Sequence, residues 1–271
     1  MRQMLKPLAF LFIAGFAITS CKKEVKDAAQ DQISDETMTK ISNHGFGTSE
    51  VQKVEEGYLV EGDIILSEDF LNSTPGGNLL RIANNEQYRT TNLVSAGGGR
   101  TIKIGLDSKL AARPGYPQAL AEVAARYNAE NLLLTFQTVS SGANITFVEG
   151  HGNYLASAGF PSTNGNPYGQ VKVNAQTIGN GTTSTFINFL ATIMAHEAGH
   201  CIGFRHTDFM DRSYSCGGSP VNEGASNVGA ILIAGTPSDP DAGSWMLSCI
   251  SRNQNRPFNA NDKKALGVLY P

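Results

Sequence analysis

Long hydrophobic runs are missing from this 271-residue chain. The longest apolar stretch, Leu8 to Ile18, covers eleven residues, whereas a bilayer-spanning helix needs roughly 20. A basic excess is missing too. With 21 Lys and Arg against 24 Asp and Glu, the net charge is -3, so there is no electrostatic footprint for nucleic acid. Four cysteines are too few for a disulfide-dense scaffold. No internal period marks a solenoid or propeller. What remains is ordinary globular composition, 41% hydrophobic and 17% charged, in a chain long enough for one enzyme domain and an accessory segment.

The N-terminus reads as a targeting signal. Arg2 and Lys6 precede the apolar run, which ends in Ile18-Thr19-Ser20-Cys21. That ending resembles the lipobox of bacterial lipoproteins, in which an aliphatic and two small residues precede the cysteine that becomes lipidated. Cleavage would leave Cys21 first, carrying acyl chains that anchor the protein to a membrane outside the cytoplasm, at the periplasmic or surface face. Three cysteines then remain. Export favours disulfides, and Cys216 with Cys249 is the preferred pair, Cys201 being a packing residue in the metal segment.

We divide the chain into a signal peptide (1–20), a tether and pro-like segment (21–97) and a catalytic domain (98–271), the last boundary falling at Gly97-Gly98-Gly99. A short helix is expected over 35–41, and a strand over 57–66 interrupted by Gly62. In the catalytic domain, strands are expected over 102–106, 132–139, 145–148 and 170–174. Helices are expected over 116–131, over 184–201 with Thr183 or Ser184 as cap, and near the C-terminus behind Asn261. The order makes an α+β fold or an α/β sandwich.

Histidine is scarce, five residues in all, yet His196, His200 and His206 fall within eleven positions. They lie in His-Glu-Ala-Gly-His-Cys-Ile-Gly-Phe-Arg-His, the extended pattern HExxHxxGxxH. His196 and His200 are four apart on a helix, so both face one metal. Gly203 lets the backbone leave the helix and bring His206 back as third ligand. Three imidazoles with an open position are the donor set of a catalytic zinc. Glu197, one step round the helix, is the general base for a water in that position, which zinc makes acidic at near-neutral pH. Asp208 is either a ligand or a hydrogen-bonding support for one, and we prefer the support. The Gly- and Asn-rich stretch around His151 has too few carboxylates for structural calcium.

This motif resembles the metzincin zinc peptidases. The resemblance implies a twisted mixed sheet over an active-site helix and a methionine turn beneath the metal, here at Met246 in Ser244-Trp-Met-Leu-Ser248. The tyrosine that astacin-type members carry two residues later is Ser248 in this chain. It also implies a substrate lying along an exposed edge strand, expected at Val171–Asn174. Within the group, residues 196–208 are most similar to the bacterial M57 family, with Ala198-Gly199 where its HEIGH signature has Ile-Gly. Further upstream, Val60-Glu-Gly-Asp63 resembles the FxGD motif of astacin pro-segments, which implies that Asp63 occupies the zinc's open position and keeps a zymogen latent. The sequence therefore points to a zinc-dependent endopeptidase acting on proteins or peptides. The rival is a membrane-anchored binding or adhesion module retaining a structural zinc. Hydrolysis of a non-peptide amide stays open, and the oligomeric state is not legible.

Overall fold

Alternation of apolar and polar residues sets up the central sheet. In Arg100–Leu106, Ile102 and Ile104 are buried while Thr101 and Lys103 face solvent, the period-2 signature of a strand covered on one side. The computed structural model describes residues 33–74, 87–222, 230–237 and 240–271. The expected signal peptide, Cys21 and most of the tether lie outside the described residues.

In chain order the elements begin with α1 (Asp35–Asn43), β1 (Gln52–Val54), β2 (Gly57–Val60), β3 (Ile64–Leu66), α2 (Glu68–Asn72) and β4 (Tyr88–Arg89). There follow β5 (Arg100–Leu106), α3 (Ser108–Ala111), α4 (Tyr116–Asn128), β6 (Leu134–Thr138), β7 (Ile145–Glu149), β8 (Ala156–Ser157) and β9 (Gln170–Val173). The chain closes with α5 (Ala175–Ile178), α6 (Ser184–Ile202), β10 (Phe204–Arg205), α7 (Ser213–Cys216), β11 (Ile231–Leu232) and α8 (Ala260–Leu269).

The main sheet has the order β6-β5-β7-β9-β8. All its pairings are parallel except that of β8 with β9. It is the twisted mixed sheet of a metzincin-like α+β fold, with α4 and α6 packed against it around a core that includes Ile102, Tyr127, Phe147 and Leu190. Full burial of each such side chain stabilises by roughly 1.5–3 kcal/mol. Polar cross-links fix α4 on α6: Tyr127 Oη donates to the Ala195 carbonyl at 2.8 Å, and Arg126 Nη1 to Thr192 Oγ1 at 3.0 Å.

Several expectations are corrected. The edge strand is β8, not 171–174, which sits between β7 and β8. The two-residue β8 has too few side chains to show periodicity, so it was invisible in the sequence. The interrupted strand over 57–66 is an antiparallel hairpin of β2 and β3, turned by Glu61 and Gly62 with φ of 54° and 89°. The C-terminal helix is capped by Asn259 in a capping box with Asp262, not by Asn261. Ahead of the glycine boundary, β4 pairs with β10 and β11. Residues before Gly97 are therefore woven into the strands that flank the site.

The hairpin and the two N-terminal helices have a small core of their own, with Ile41, Phe46, Tyr58, Val60, Leu66 and Leu71. Phe160, just past β8, completes it. The hairpin then docks on the sheet edge. Ala158 N–H donates to the Asp63 carbonyl at 2.9 Å, and Ile65 N–H to the Ala158 carbonyl at 2.6 Å, a parallel bridge at Ile64.

Candidate metal centre

The helix α6 starts where Thr183 caps the Phe186 N–H and is buried continuously from Phe189 to Ile202. It stops at Gly203, whose φ of 113° is open to glycine and strained for other residues. The Gly203 N–H closes the last turn on the carbonyls of Gly199 and His200. The pairing of β10 with β4 then turns the chain back and delivers His206 beside the helix.

Three imidazoles converge there. Ring centroids lie 4.7 Å apart for His196 and His200, 5.2 Å for His196 and His206, and 4.9 Å for His200 and His206. His196 Nδ1 donates to the Trp245 carbonyl at 2.9 Å and His200 Nδ1 to the Phe204 carbonyl at 2.8 Å. A carbonyl only accepts, so in each ring Nδ1 carries a proton and Nε2 faces inward. Those two Nε2 atoms are 3.0 Å apart. Burial lowers the His200 pKa well below the ordinary imidazole value, with the neighbouring histidines adding to it. Neutral imidazoles with converging lone pairs are metal ligands.

The fourth member is Asp63. Its Oδ2 is 3.2 Å from His206 Nε2 and 3.5 Å from His196 Nε2. One ligand atom from each of Asp63, His196, His200 and His206 falls within 4.8 Å of all the others. Burial alone would raise the Asp63 carboxyl, but the imidazoles of His206, His196 and His200 outweigh it and hold the group below the usual carboxylate range.

Glu197 is buried beside this cluster, and its Oε2 has no hydrogen-bond partner. Burial pushes its carboxyl well above the usual range, and the Asp63 carboxylate adds to that. Below the cluster, Met246 is fully buried, and its carbonyl accepts the Thr207 N–H at 2.9 Å. The turn that holds it presses against the helix at Gly199. A Cβ there would come within 2.7 Å of Met246 Sδ and 3.1 Å of Trp245 Cζ2, which explains the glycine before the second histidine.

Asp208 does not reach a histidine. Its carboxylate accepts from Ser215 Oγ at 2.5 Å and from Ser248 N–H and Oγ at 2.9 and 2.8 Å. It therefore braces the loop of α7 against the methionine turn, and Ser248, spent on that brace, does not replace the tyrosine's role. Cys216 and Cys249 are joined by a disulfide across the same loops, and Cys201 is a buried free thiol.

Two residues that sequence reasoning missed hold Asp63 in place. Arg205, inside the motif, is fully buried and forms an ion pair with Glu61 at 2.5 Å. Its guanidinium lies over Phe46 at 4.5 Å and Phe209 at 5.6 Å, and it donates to the Gly45 carbonyl at 3.1 Å. A charged residue between Phe204 and His206 was the available signal, but nothing in the sequence ties it to Glu61. The positive φ of Glu61 costs on the order of 1–3 kcal/mol, a strain that persists because this pair and the neighbouring turn over-determine it.

The model of the family described as dual-action HEIGH metallo-peptidase matches residues 59–270. No curated protein matches the chain. Among solved structures, one similar chain belongs to the GM1 bound form of the ECX AB5 holotoxin. It is 16% identical, with a TM-score of 0.39, over 67% of this chain and 86% of that one.

Proposed function

Since the chain belongs to the dual-action HEIGH metallo-peptidase family and is a zinc metallopeptidase acting on protein or peptide substrate, we propose that it is an exported endopeptidase made as a precursor whose metal site Asp63 closes. The observation that carries this is the Asp63 carboxylate lying within ligand distance of three inward-facing imidazoles. The donor set fits zinc, because three imidazole nitrogens and a carboxylate oxygen within 4.8 Å of one another are ligands of the kind zinc takes. When bound, zinc supplies a Lewis acid for the scissile carbonyl and an acidic water.

The rest falls to side chains. His196, His200 and His206 would hold the metal, and backbone hydrogen bonds orient the rings of His196 and His200. Glu197, raised by burial, takes a proton from the attacking water and returns it to the leaving amine. The pro-like hairpin covers the edge at Ala158, where an extended substrate would pair by main-chain bonds. Release of the hairpin opens both the metal and the edge. A cut that spares β4 falls between Asn72 and Gln87.

Export and lipid anchoring at Cys21 rest on the N-terminal signal, and the Cys216–Cys249 disulfide accords with an oxidising compartment. A second reading draws on the same carboxylate, since three imidazoles and a carboxylate also make a closed structural site. The N-terminus of the form that cleaves casein separates the two. The proposal expects it after Asp63 and before Gln87. Casein cleavage by chains that still begin at Cys21 would sink the latency.

A further inference from the structure

A cavity of about 250 Å³ opens beside the metal cluster. It is slightly under the usual small-molecule range of roughly 300–1,000 Å³, and so suits one side chain rather than a whole ligand. Glu197 and His196 line it on the helix side, Asp63 on the hairpin side, Leu155 on the edge-strand side, and Leu247 and Ile250 beyond the methionine turn. Arg256 lines it too and is only 9% exposed.

The placement of that arginine is fixed by its neighbours. Its backbone N–H donates to Thr192 Oγ1 on α6 at 3.0 Å. Nη1 donates to the Cys249 carbonyl at 2.7 Å and Nη2 to Gln254 Oε1 at 3.2 Å. Its Nε–H has no partner, and no carboxylate among the described residues forms an ion pair with it. The two acids that act on it from a distance, Asp208 and Asp262, are committed elsewhere. Asp208 is held by Ser215 and Ser248, and Asp262 by Gln87, Ser244, Trp245 and Asn259. Burial lowers the Arg256 pKa, yet a guanidinium stays charged at any physiological pH. A buried, uncompensated cation in a cavity is costly unless a ligand supplies the anion.

We propose that this cavity is the specificity pocket for the residue contributing the leaving amine, and that Arg256 selects an acidic side chain, aspartate or glutamate, at that position. The assignment of the side of the bond rests on the peptidase reading, because Glu197, which returns the proton to the leaving amine, forms part of the wall. A carboxylate in the cavity would form a charge-assisted pair with the Arg256 guanidinium, whose buried Nε–H has no protein partner.

Binding tests this without turnover. The probes are the dipeptide amides Asp-Ala-NH2, Asn-Ala-NH2 and Lys-Ala-NH2, and the protein is the zinc-loaded full chain carrying Asp63→Ala. Trp245, the only tryptophan, lines the cavity, so its fluorescence reports occupancy. The aspartyl probe is expected to bind at least tenfold tighter than the asparaginyl one. Arg256→Gln should erase that preference, and Arg256→Lys, which keeps charge but not the fork, should keep its direction at a smaller ratio. The lysine variant carries the test if the glutamine variant does not fold. Equal binding of the aspartyl and asparaginyl probes overturns the proposal, as does a preference that survives Arg256→Gln and so belongs to the metal. Preferential binding without cleavage of any peptide upholds Arg256 as the acid-selecting group and sinks the peptidase reading together with the leaving-amine assignment.

Discussion

At the residue scale, neighbouring side chains carry separate tasks. As the proposed general base Glu197 holds no metal, so Glu197→Ala should retain zinc and lose about two to four orders of magnitude in rate. Metal analysis beside a peptide assay checks this, and near wild-type turnover with full zinc would contradict it. His206 points into the cluster whereas Asp208 holds Ser215 and Ser248. His206→Ala should therefore weaken zinc binding far more than Asp208→Ala, whose effect should appear as a lower melting temperature; competition titration with a chelator and a thermal scan separate the two. The convergence of His196, His200 and His206 was legible in the sequence, because helical spacing and one glycine dictate where those side chains go. The true task of Asp208 was not, because its partners Ser215 and Ser248 come from loops whose paths no local pattern encodes.

Elements show the same division. Strands and helices with strong periodicity, such as β5, α4 and α6, fall close to where alternation and helical spacing place them. The strands that shape the cleft are two residues long: β4, β8, β10 and β11. Each exists through pairing partners distant in sequence, so their absence from the sequence reading has a physical cause. The hairpin of β2 and β3 is the element with the most at stake. Its turn residue Glu61 forms a buried pair with Arg205, and removing one partner of such a pair costs roughly 3–5 kcal/mol. Glu61→Ala should loosen the hairpin from the cleft by removing this ion pair. Faster hydrogen exchange confined to residues 57–66 would bear this out, and unchanged exchange there would refute it. The loops on the opposite rim are tied by Cys216–Cys249, 33 residues apart. Replacing both cysteines by serine should lower stability by roughly 2–4 kcal/mol on loop entropy, read as a shift in denaturation midpoint.

On the scale of the whole molecule, the proposed lipid anchor and the proposed latency would be undone by one chain break. Cys21 lies before Asp63, and the catalytic sheet lies after it. A cut between Asn72 and Gln87 would thus free the metal and, with lipid at Cys21, release the enzyme from its membrane. The measurement that tests this account most directly compares casein hydrolysis by two uncut, zinc-loaded, full-length proteins, wild type and Asp63→Ala. With Asp63 as the fourth ligand of a latent site, the uncut variant should cleave, more slowly than the cut enzyme because the hairpin still covers the edge at Ala158, while the uncut wild type stays silent. Equal activity of the two uncut proteins, or a variant that loses zinc and never cleaves, would contradict it.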